Sequence, residues 1–247
     1  MKAIITILAR SGSKGLPNKH LLPFNGKPLI QWTIEQAIAY GNGDFDIIVA
    51  SDSNEVRALA KDLGIYYSML RSPEFATDKA GKVAAIRDVL KRYGKFNSQN
   101  IDMVIDLDAT NPCRRLEDIE ICRQIFKKKR PKILFSVVKS KKNGFFNQIT
   151  GCYLLPGMKR GFCLVGEIDR IKMDRYLCRQ DAPETFDMNC NIYIYDANWL
   201  RDENNKSVIT NDSEIYIMPD WSFCDIDNEI DFQMAEFLHR KYILEGE

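Results

Sequence analysis

The sequence predicts an α/β fold with a doubly wound, mostly parallel sheet and one small inserted lobe. Strand and helix patterns alternate over the first 138 of 247 residues, and such alternation is typical of a parallel sheet with helices on both faces. Hydrophobic residues make up 45% of the chain, which is enough for a sizeable core at this length. The alternation stops after Ser140 and resumes at Asn191. We therefore expect a core of 1–138 and 191–247 with an inserted lobe at 139–190.

The elements follow from the spacing of apolar residues. The predicted strands are short, continuous apolar runs at 3–8, 45–50, 65–70, 101–107, 133–138, 191–196 and 214–218. The predicted helices have apolar residues three or four positions apart and begin near 28, 52, 81, 116 and 228. The residues of the last helix that we expect to face inward are Ile230, Met234, Phe237 and Leu238. His239, in the same helix, is expected on the surface.

Composition excludes several classes of protein. The 35 basic and 34 acidic residues leave a net charge of +1, which argues against a general nucleic-acid binder. The seven cysteines include no Cys-x-x-Cys pair, so reduced thiols are the simplest account. The apolar run at the N-terminus is too short for a signal peptide, and no stretch approaches a membrane span. We expect a cytoplasmic protein without membrane or nucleic-acid partners.

Residues 9–27 form a cationic loop directly after the first predicted strand. The loop has no acidic residue, and its cations are Arg10, Lys14, Lys19 and Lys27. Such a loop at the carboxyl end of a strand suits a polyphosphate. The spacing Gly12-x-x-Gly15 matches neither the Walker loop nor the dinucleotide fingerprint. The alternative is a solvated, lysine-rich surface loop.

Asp225 and Asp227 form a second candidate site near the C-terminus. In an extended segment their side chains point to the same side, where two carboxylates repel each other unless a divalent cation lies between them. Hard oxygen ligands suit Mg²⁺ or Mn²⁺ bound to phosphate oxygens. The alternative is an acidic turn before a helix, and this alternative accounts fully for Glu229 and Asp231.

Three further positions carry weaker signals. Asp106 or Asp108 could supply another acid at the sheet edge, and Arg114 could fix a phosphate or pair with an acid. An ordinary strand-to-helix loop explains the same residues. Arg71 could contact a base or pair with an acid in its own loop, and Arg179 is a candidate for binding a carboxylate through its planar guanidinium.

Together these motifs resemble the acylneuraminate cytidylyltransferase family, whose members make CMP-activated nonulosonic acids. The segments that resemble its nucleotide loop, its metal motif and a sheet-edge segment are 9–19, 225–227 and 108–112. The segments most similar to CMP-legionaminate synthetases are 142–147, 179–183, 186–189 and 192–193. The chain departs from the family pattern at several positions. His20 stands where Asn is usual, and Asp108 where the sialate branch has Gln. Lys79, Gly81 and Lys82 stand where Ser or Thr is common, and Asn111 replaces a common Ser.

The resemblance implies a Rossmann-like αβα nucleotidyltransferase core and an inserted lobe for sugar binding and dimerisation. It implies a homodimer that uses CTP with Mg²⁺, or alternatively Mn²⁺. The implied catalytic residues are Arg10, Lys14, Lys19, Asp225 and Asp227, and the last two would bind the metal. The implied nucleotide-binding residues are Ala9, Arg10, Ser11, Gly12, Lys19, Arg71, Ala80 and Asp108. The implied sugar-binding residues are Asp108, Thr110, Asn143, Phe146, Arg179, Gln180, Asn189 and Tyr193.

The implied reaction is in-line attack of the anomeric hydroxyl of a nonulosonic acid on the α-phosphorus of CTP, which releases pyrophosphate. Positioning and charge neutralisation dominate such chemistry. The group that takes the hydroxyl proton stays open, with Asp225 and His20 among the candidates. The alternatives are a CMP-Kdo synthetase or another sugar nucleotidylyltransferase, and a catalytically silent nucleotide-sensing protein.

Overall fold

The computed structural model describes most of the 247 residues. The described ranges are 1–12, 15–77, 81–97, 100–145, 147, 149–153, 164–170, 176 and 178–246, with the backbone alone for 149–153, 164–170 and 179. Within them the strands are β1 (Ala3–Ala9), β2 (Pro23–Phe24), β3 (Lys27–Pro28), β4 (Asp46–Ser51), β5 (Tyr67–Leu70), β6 (Met103–Leu107), β7 (Ile133–Lys139), β8 (Ile149–Tyr153), β9 (Leu164–Arg170), β10 (Phe186–Asp196) and β11 (Ser213–Ile217). The α-helices are α1 (Leu29–Gly41), α2 (Asn54–Asp62), α3 (Lys82–Phe96), α4 (Leu116–Lys129), α5 (Ala197–Arg201) and α6 (Glu229–His239). None of the described helices is long and apolar enough to cross a membrane.

A seven-stranded sheet confirms the predicted α/β class. Its spatial order is β11-β7-β10-β6-β1-β4-β5, and β1 pairs in parallel with both β4 and β6. β10 runs antiparallel to β6, so the sheet is mixed rather than fully parallel. Because the chain passes to opposite sides of β1 to form β4 and β6, a topological switch point lies beside β1. Open α/β sheets bind ligands at such a point, beyond the carboxyl ends of the strands.

The chain divides into two compact units. The larger comprises Met1–Val137 and Met188–Glu247, and the smaller is Val138–Asp187. The lobe that the sequence predicts, 139–190, differs at its C-terminal end because β10 runs unbroken from Phe186 to Asp196. The smaller unit holds the antiparallel pair of β8 and β9 and a short 3₁₀ helix at Arg179–Asp181.

The predicted inward face of α6 is wrong for three of its four residues. Ile230 is 70% exposed, Phe237 60% and Met234 41%, whereas Phe232 and Ala235 are buried. Leu238 does pack against the core, as predicted. His239 is also buried, with its ring packed against two aromatic side chains, so it is not a surface residue. Two apolar stripes at helical spacing run along this segment, and periodicity alone does not choose between them. The stripe that the structure buries packs against the hairpin of β2 and β3 and the start of α1.

Arg114 is a structural residue and does not reach a phosphate. Its guanidinium is fully buried and donates to the backbone and side-chain oxygens of Asn191 at 2.6 and 2.7 Å, to Thr33 Oγ1 at 2.7 Å and to the Asp108 carbonyl at 2.8 Å. These bonds tie β10 and α1 to the loop that follows β6. The sequence could not reveal this role because the acceptors lie far away along the chain.

We expect Arg114→Met to lower the free energy of unfolding by about 3 kcal/mol, because several buried acceptors lose their donor at once. Urea denaturation followed by circular dichroism measures this change. Arg130→Met, at the exposed end of α4, is the matched control and should change stability by less than about 0.5 kcal/mol. An equally stable Arg114→Met protein would contradict the structural assignment.

Candidate active site

A cavity of about 210 Å³ lies at the carboxyl edge of the sheet, beside the switch point. It is lined by Leu8, Arg10, Lys19, His20, Arg71, Lys82, Asp108, Thr110, Asp225 and Asp227. Loops far apart in the chain therefore meet in one place, at the edge where the topology favours a ligand. Seven of these ten residues are among the catalytic, nucleotide-binding and sugar-binding residues that the resemblance implies, and His20 is a candidate proton acceptor.

The cationic loop is fixed to the sheet at its beginning. Ser11 donates two hydrogen bonds to Asp52, one from the backbone N–H and one from Oγ, each at 2.7 Å. Asp52 directly follows β4, the strand next to β1. The first residues of the loop are thus held against the neighbouring strand end.

The loop also packs closely on the segment that carries Asp225 and Asp227. A Cβ atom placed on Gly15 would lie 2.1 Å from the carbonyl oxygen of Asp227, a distance that no side chain tolerates. Glycine is therefore required here by a close backbone approach rather than by an unusual φ angle. Lys14 itself lies outside the described residues, but its neighbour Gly15 touches the backbone of Asp227.

One apolar cluster joins the loop, α1 and the segment 224–227. Its buried members are Leu16, Phe24, Leu29, Cys224, Ile226, Phe232 and Ala235. Cys224 and Ile226 point into this cluster, and Asp225 and Asp227 line the cavity. The alternation of an extended segment therefore operates here as expected. Burial of the two apolar residues holds the carboxylates on the ligand side.

Lys19 links the loop to the same segment. Its Nζ donates to the carbonyl oxygen of Ile226 and lies 3.3 Å from Oδ1 of Asp227. The lysine side chain is 10% exposed and that of the aspartate is 80% exposed. A buried ammonium held by a backbone carbonyl is a fixed positive charge at the edge of the cavity.

A second lysine balances the acids of β6. Lys82, the first residue of α3, has its Nζ 2.7 Å from Oδ2 of Asp108 and 3.0 Å from Oδ2 of Asp106. Asp106 lies deeper in the sheet, where its Oδ1 accepts a bond from Thr6 Oγ1 at 2.8 Å. Burial alone would raise the pKa of Asp108, but the ion pair with Lys82 and the bonds from Thr110 outweigh burial and hold that pKa well below its usual range.

Thr110 lies between two carboxylates. Its Oγ1 is 2.7 Å from Oδ1 of Asp108 and 2.8 Å from Oδ1 of Asp225. A hydroxyl has one proton, so it cannot donate to both acids at once. Burial, and then the nearby charges of Asp108 and Asp227, raise the pKa of Asp225. The two carboxylates therefore compete for one hydroxyl donor.

His20 and Arg71 line the opposite part of the cavity. Burial, together with the positive charge of Lys19, lowers the pKa of the His20 imidazole from 6.5 to about 4. Its Nδ1 is buried and has no hydrogen-bond partner among the described residues. A ring with so low a pKa is a weak proton acceptor at neutral pH. Arg71 follows β5, and its backbone N–H donates to Ser51 of β4 at 3.1 Å.

The acids of this site fit a divalent cation. Asp106, Asp108, Asp225 and Asp227 carry four negative charges, and the cations paired with them are Lys19 and Lys82, while Arg10 and Arg71 line the same cavity. Among the described residues, no group of three or more His, Cys, Asp or Glu side chains could hold a metal by itself. Mg²⁺ needs no such cage, because it commonly takes one or two carboxylates and completes its shell with water and phosphate oxygens.

Several predicted sugar-binding residues lie elsewhere or cannot be placed. Asn189 is buried, and its amide accepts from Ser136 Oγ at 2.7 Å and donates to the Ser222 carbonyl at 3.1 Å, so it faces the core. Tyr193 is buried beneath Lys82, whose Nζ lies 4.0 Å from the centre of its ring.

Three more of these residues belong to the smaller unit, and their roles stay predictions. Asn143 is buried and bonded to Pro183, and Gln180 is exposed. Of Arg179 only the backbone is described. Phe146, Ala80 and Lys14 lie outside the described residues.

Lys82 and Asp52 are the site residues that sequence reasoning missed. The sequence showed Lys82 only as a departure from the family pattern. Asp108 departs from the pattern as well and carries the opposite charge. The opposite charges of these two departures were the signal that could have indicated an ion pair. In the sequence, Asp52 is part of a predicted helix start. Nothing in the residues next to it along the chain indicates that Ser11 is its partner.

Comparison with known proteins agrees with the geometry. Residues 4–148 match the model of a family described as cytidylyltransferase. A Campylobacter coli protein named post-translational flagellin modification protein B is 30% identical over 98% of this chain and 97% of its own length. The CMP-N,N'-diacetyllegionaminic acid synthase of Campylobacter jejuni is 30% identical over 95% of this chain and 94% of its own length.

The fold has a solved counterpart. CMP:2-keto-3-deoxy-manno-octonic acid synthetase complexed with CTP superposes with a TM-score of 0.68 at 18% identity, covering 98% of this chain and 100% of that one. At this identity the match bears on the fold alone. The family match and the relatives that align along almost their whole length show that the chain belongs to the cytidylyltransferase family of nucleotidyltransferases.

Proposed function

We propose that this protein transfers CMP from CTP to the anomeric hydroxyl of a nonulosonic acid and releases pyrophosphate. The observation that carries the proposal is the cavity in which the loop after β1 meets Asp225 and Asp227. Cations for a triphosphate and acids for its metal ion line the same small space. The relative from Campylobacter jejuni, whose name specifies a CMP-legionaminic acid product, supports the choice of substrate class.

The triphosphate binds on the cationic side of the cavity. Arg10 and Lys19 supply fixed positive charge where negative charge develops during transfer, and Lys14 is expected to act with them. Ser11 anchors the start of this loop, because its N–H and its Oγ both donate to Asp52. Arg71, at the end of β5, is expected to contact the nucleoside. Phosphoryl transfer of this kind depends on positioning and charge stabilisation more than on covalent catalysis.

Asp225 and Asp227 would hold Mg²⁺, or Mn²⁺ in its place. When bound, the ion neutralises charge on the reacting phosphate and aligns it with the attacking hydroxyl. The surrounding residues hold the two acids in place: Ile226 is buried beneath them, Thr110 contacts Asp225, and Lys19 lies beside Asp227. These contacts prepare the acids before any ligand binds.

A panel of sugar acids tests the proposed substrate. Pyrophosphate release is measured with CTP and Mg²⁺ and, separately, legionaminic, N-acetylneuraminic, pseudaminic and Kdo acids. We expect turnover with legionaminic or N-acetylneuraminic acid and at least tenfold lower kcat/KM with Kdo. Preference for Kdo would favour the alternative CMP-Kdo synthetase. Absence of turnover with all four would favour a nucleotide-sensing protein, although such a protein would have no need to keep both the loop cations and the two acids.

Arg179→Ala provides a prediction about the acceptor substrate. If Arg179 binds the sugar carboxylate, this variant should raise KM for the sugar acid by about 10²-fold and leave KM for CTP within about twofold, because a charged hydrogen bond is lost from one substrate only. Initial-rate kinetics with each substrate varied in turn measure both constants. A defect confined to CTP would show that the two substrates had been assigned to the wrong sites.

The resemblance to the family also leads us to propose a homodimer that works in the cytoplasm, where CTP is available. Light scattering on the purified protein gives the mass directly. A mass of one chain, 28.5 kDa, at micromolar concentration would contradict the dimer.

A further inference from the structure

Lys82 is placed as a metal ion would be placed. Its Nζ lies within 3.0 Å of one carboxylate oxygen from each of two acids, Asp106 and Asp108, at the carboxyl edge of β6. The ammonium also lies 4.0 Å from the centre of the Tyr193 ring, whose electron-rich face favours a cation.

The two acids depend on this lysine for charge balance. Asp106 is buried, and its Oδ2 has no hydrogen-bond partner among the described residues, so Lys82 supplies the neighbouring positive charge through an ion pair without hydrogen-bond geometry. Asp108 is engaged at both oxygens, with Thr110 on Oδ1 and Lys82 on Oδ2. Neither acid has an oxygen that is both accessible and uncompensated while the lysine is present.

Within the described residues, no lysine contacts both acids of the other pair. Asp225 shares the single hydroxyl proton of Thr110 with Asp108, and Asp227 is largely exposed beside Lys19. The site therefore contains two pairs of carboxylates, of which one pair is already bridged by a cation. Metal-dependent phosphoryl transfer often uses two ions about 4 Å apart, each held by carboxylates.

We propose that Lys82 takes the place of a second cation, so that the active site accepts one divalent ion, at Asp225 and Asp227. This inference rests on the proposed function for the role of that ion. Lysine suits the task because its ammonium is a compact charge with three donors and no acceptor. It keeps Asp108 ionised and oriented toward Thr110, which in turn contacts Asp225. Lys82 is thus a positioning residue that also sets the metal stoichiometry.

The test counts Mn²⁺ ions bound to the nucleotide-free protein, by electron paramagnetic resonance of free Mn²⁺ during titration. We expect one ion per chain in the wild type and two in Lys82→Met, because the methionine keeps the bulk of the side chain and leaves Asp106 and Asp108 without a cation. Two ions in the wild type, or one in folded Lys82→Met, would overturn the proposal. If Lys82→Met does not fold, Lys82→Gln makes the same test, since it also removes the charge. It should bind two ions, and a folded Lys82→Gln that binds one ion would overturn the proposal.

Matched variants locate the ions. Lys82→Arg keeps the charge and should bind one ion, as should Lys91→Met, which makes the same change at an exposed position of α3. Lys82→Met with Asp108→Asn should lose the additional ion, and Lys82→Met with Asp227→Ala should keep it. An additional ion that survives Asp108→Asn would contradict its location.

The count is independent of the proposed reaction. If the wild-type protein did not turn over any sugar acid, the proposed function would be refuted, but the number of bound ions would be unaffected. Conversely, a wild-type chain that binds no Mn²⁺ at millimolar concentration would refute the metal site itself, and the role of Lys82 with it. A wild-type chain that binds two ions and turns over CTP would refute only the role of Lys82.

Discussion

Asp227→Ala is expected to reduce CTP-dependent pyrophosphate release on the order of 10³-fold while the protein stays folded. The variant removes one of the two carboxylates that would hold the divalent ion, and such an ion contributes several kcal/mol of stabilisation to developing charge. The Asp227 side chain is 80% exposed, and its ion pair is with Lys19, which keeps its bond to the Ile226 carbonyl. We therefore expect the free energy of unfolding to change by less than about 1 kcal/mol.

Steady-state kinetics and thermal unfolding of the same preparation measure the two effects. Glu229→Ala is the matched control, since Glu229 is an exposed acid two residues further along and belongs to the first turn of α6. Its activity should be normal. Normal turnover by Asp227→Ala would exclude Asp227 as a metal ligand, and an unfolded variant would show that its role is structural.

Gly15→Ala is expected to reduce kcat/KM for CTP by about 10²-fold. The added methyl group would lie 2.1 Å from the Asp227 carbonyl oxygen, so either the loop or the metal motif must move. A displacement of about 1 Å at a site of in-line transfer costs roughly this factor. The same overpacking should lower the free energy of unfolding by about 1–3 kcal/mol.

Gly12→Ala serves as the control for stability. A Cβ atom at Gly12 meets nothing within 4 Å, so this variant should unfold at the wild-type temperature. Gly94→Ala, in α3 and equally free of neighbours, serves as the control for activity. If Gly15→Ala retained wild-type kinetics and stability, the loop would not rest on Asp227 as described.

The parts of the fold and site that the sequence predicts well are those with local causes. Alternation of apolar and polar residues indicated that Asp225 and Asp227 share a side, and burial of Ile226 between them explains why. The capping box of α6, formed by Asn228 and Asp231, follows from a pattern within four residues. A cationic loop directly after a buried strand predicted a ligand site at the carboxyl edge of the sheet.

The parts that the sequence does not predict depend on distant partners. The buried face of α6 is chosen by the hairpin of β2 and β3, some 200 residues earlier, and the two apolar stripes of the helix are equivalent until that partner is known. Arg114 has the charge and the donor groups of a phosphate ligand. Only the tertiary structure shows that protein acceptors surround its guanidinium. The role of Lys82 is likewise apparent only in the structure, where Asp106 and Asp108 lie beside its ammonium.

The central claim is that the loop after β1 and the acids before α6 bind one nucleotide through a divalent ion. A crystal structure with CTP and Mn²⁺, with the ion located by its anomalous scattering, tests this claim most directly. We predict one Mn²⁺ bound by Asp225 and Asp227 and by oxygens of a triphosphate that also contacts Arg10 and Lys19. A triphosphate bound away from these two aspartates, or a Mn²⁺ ion that does not touch them, would contradict the account.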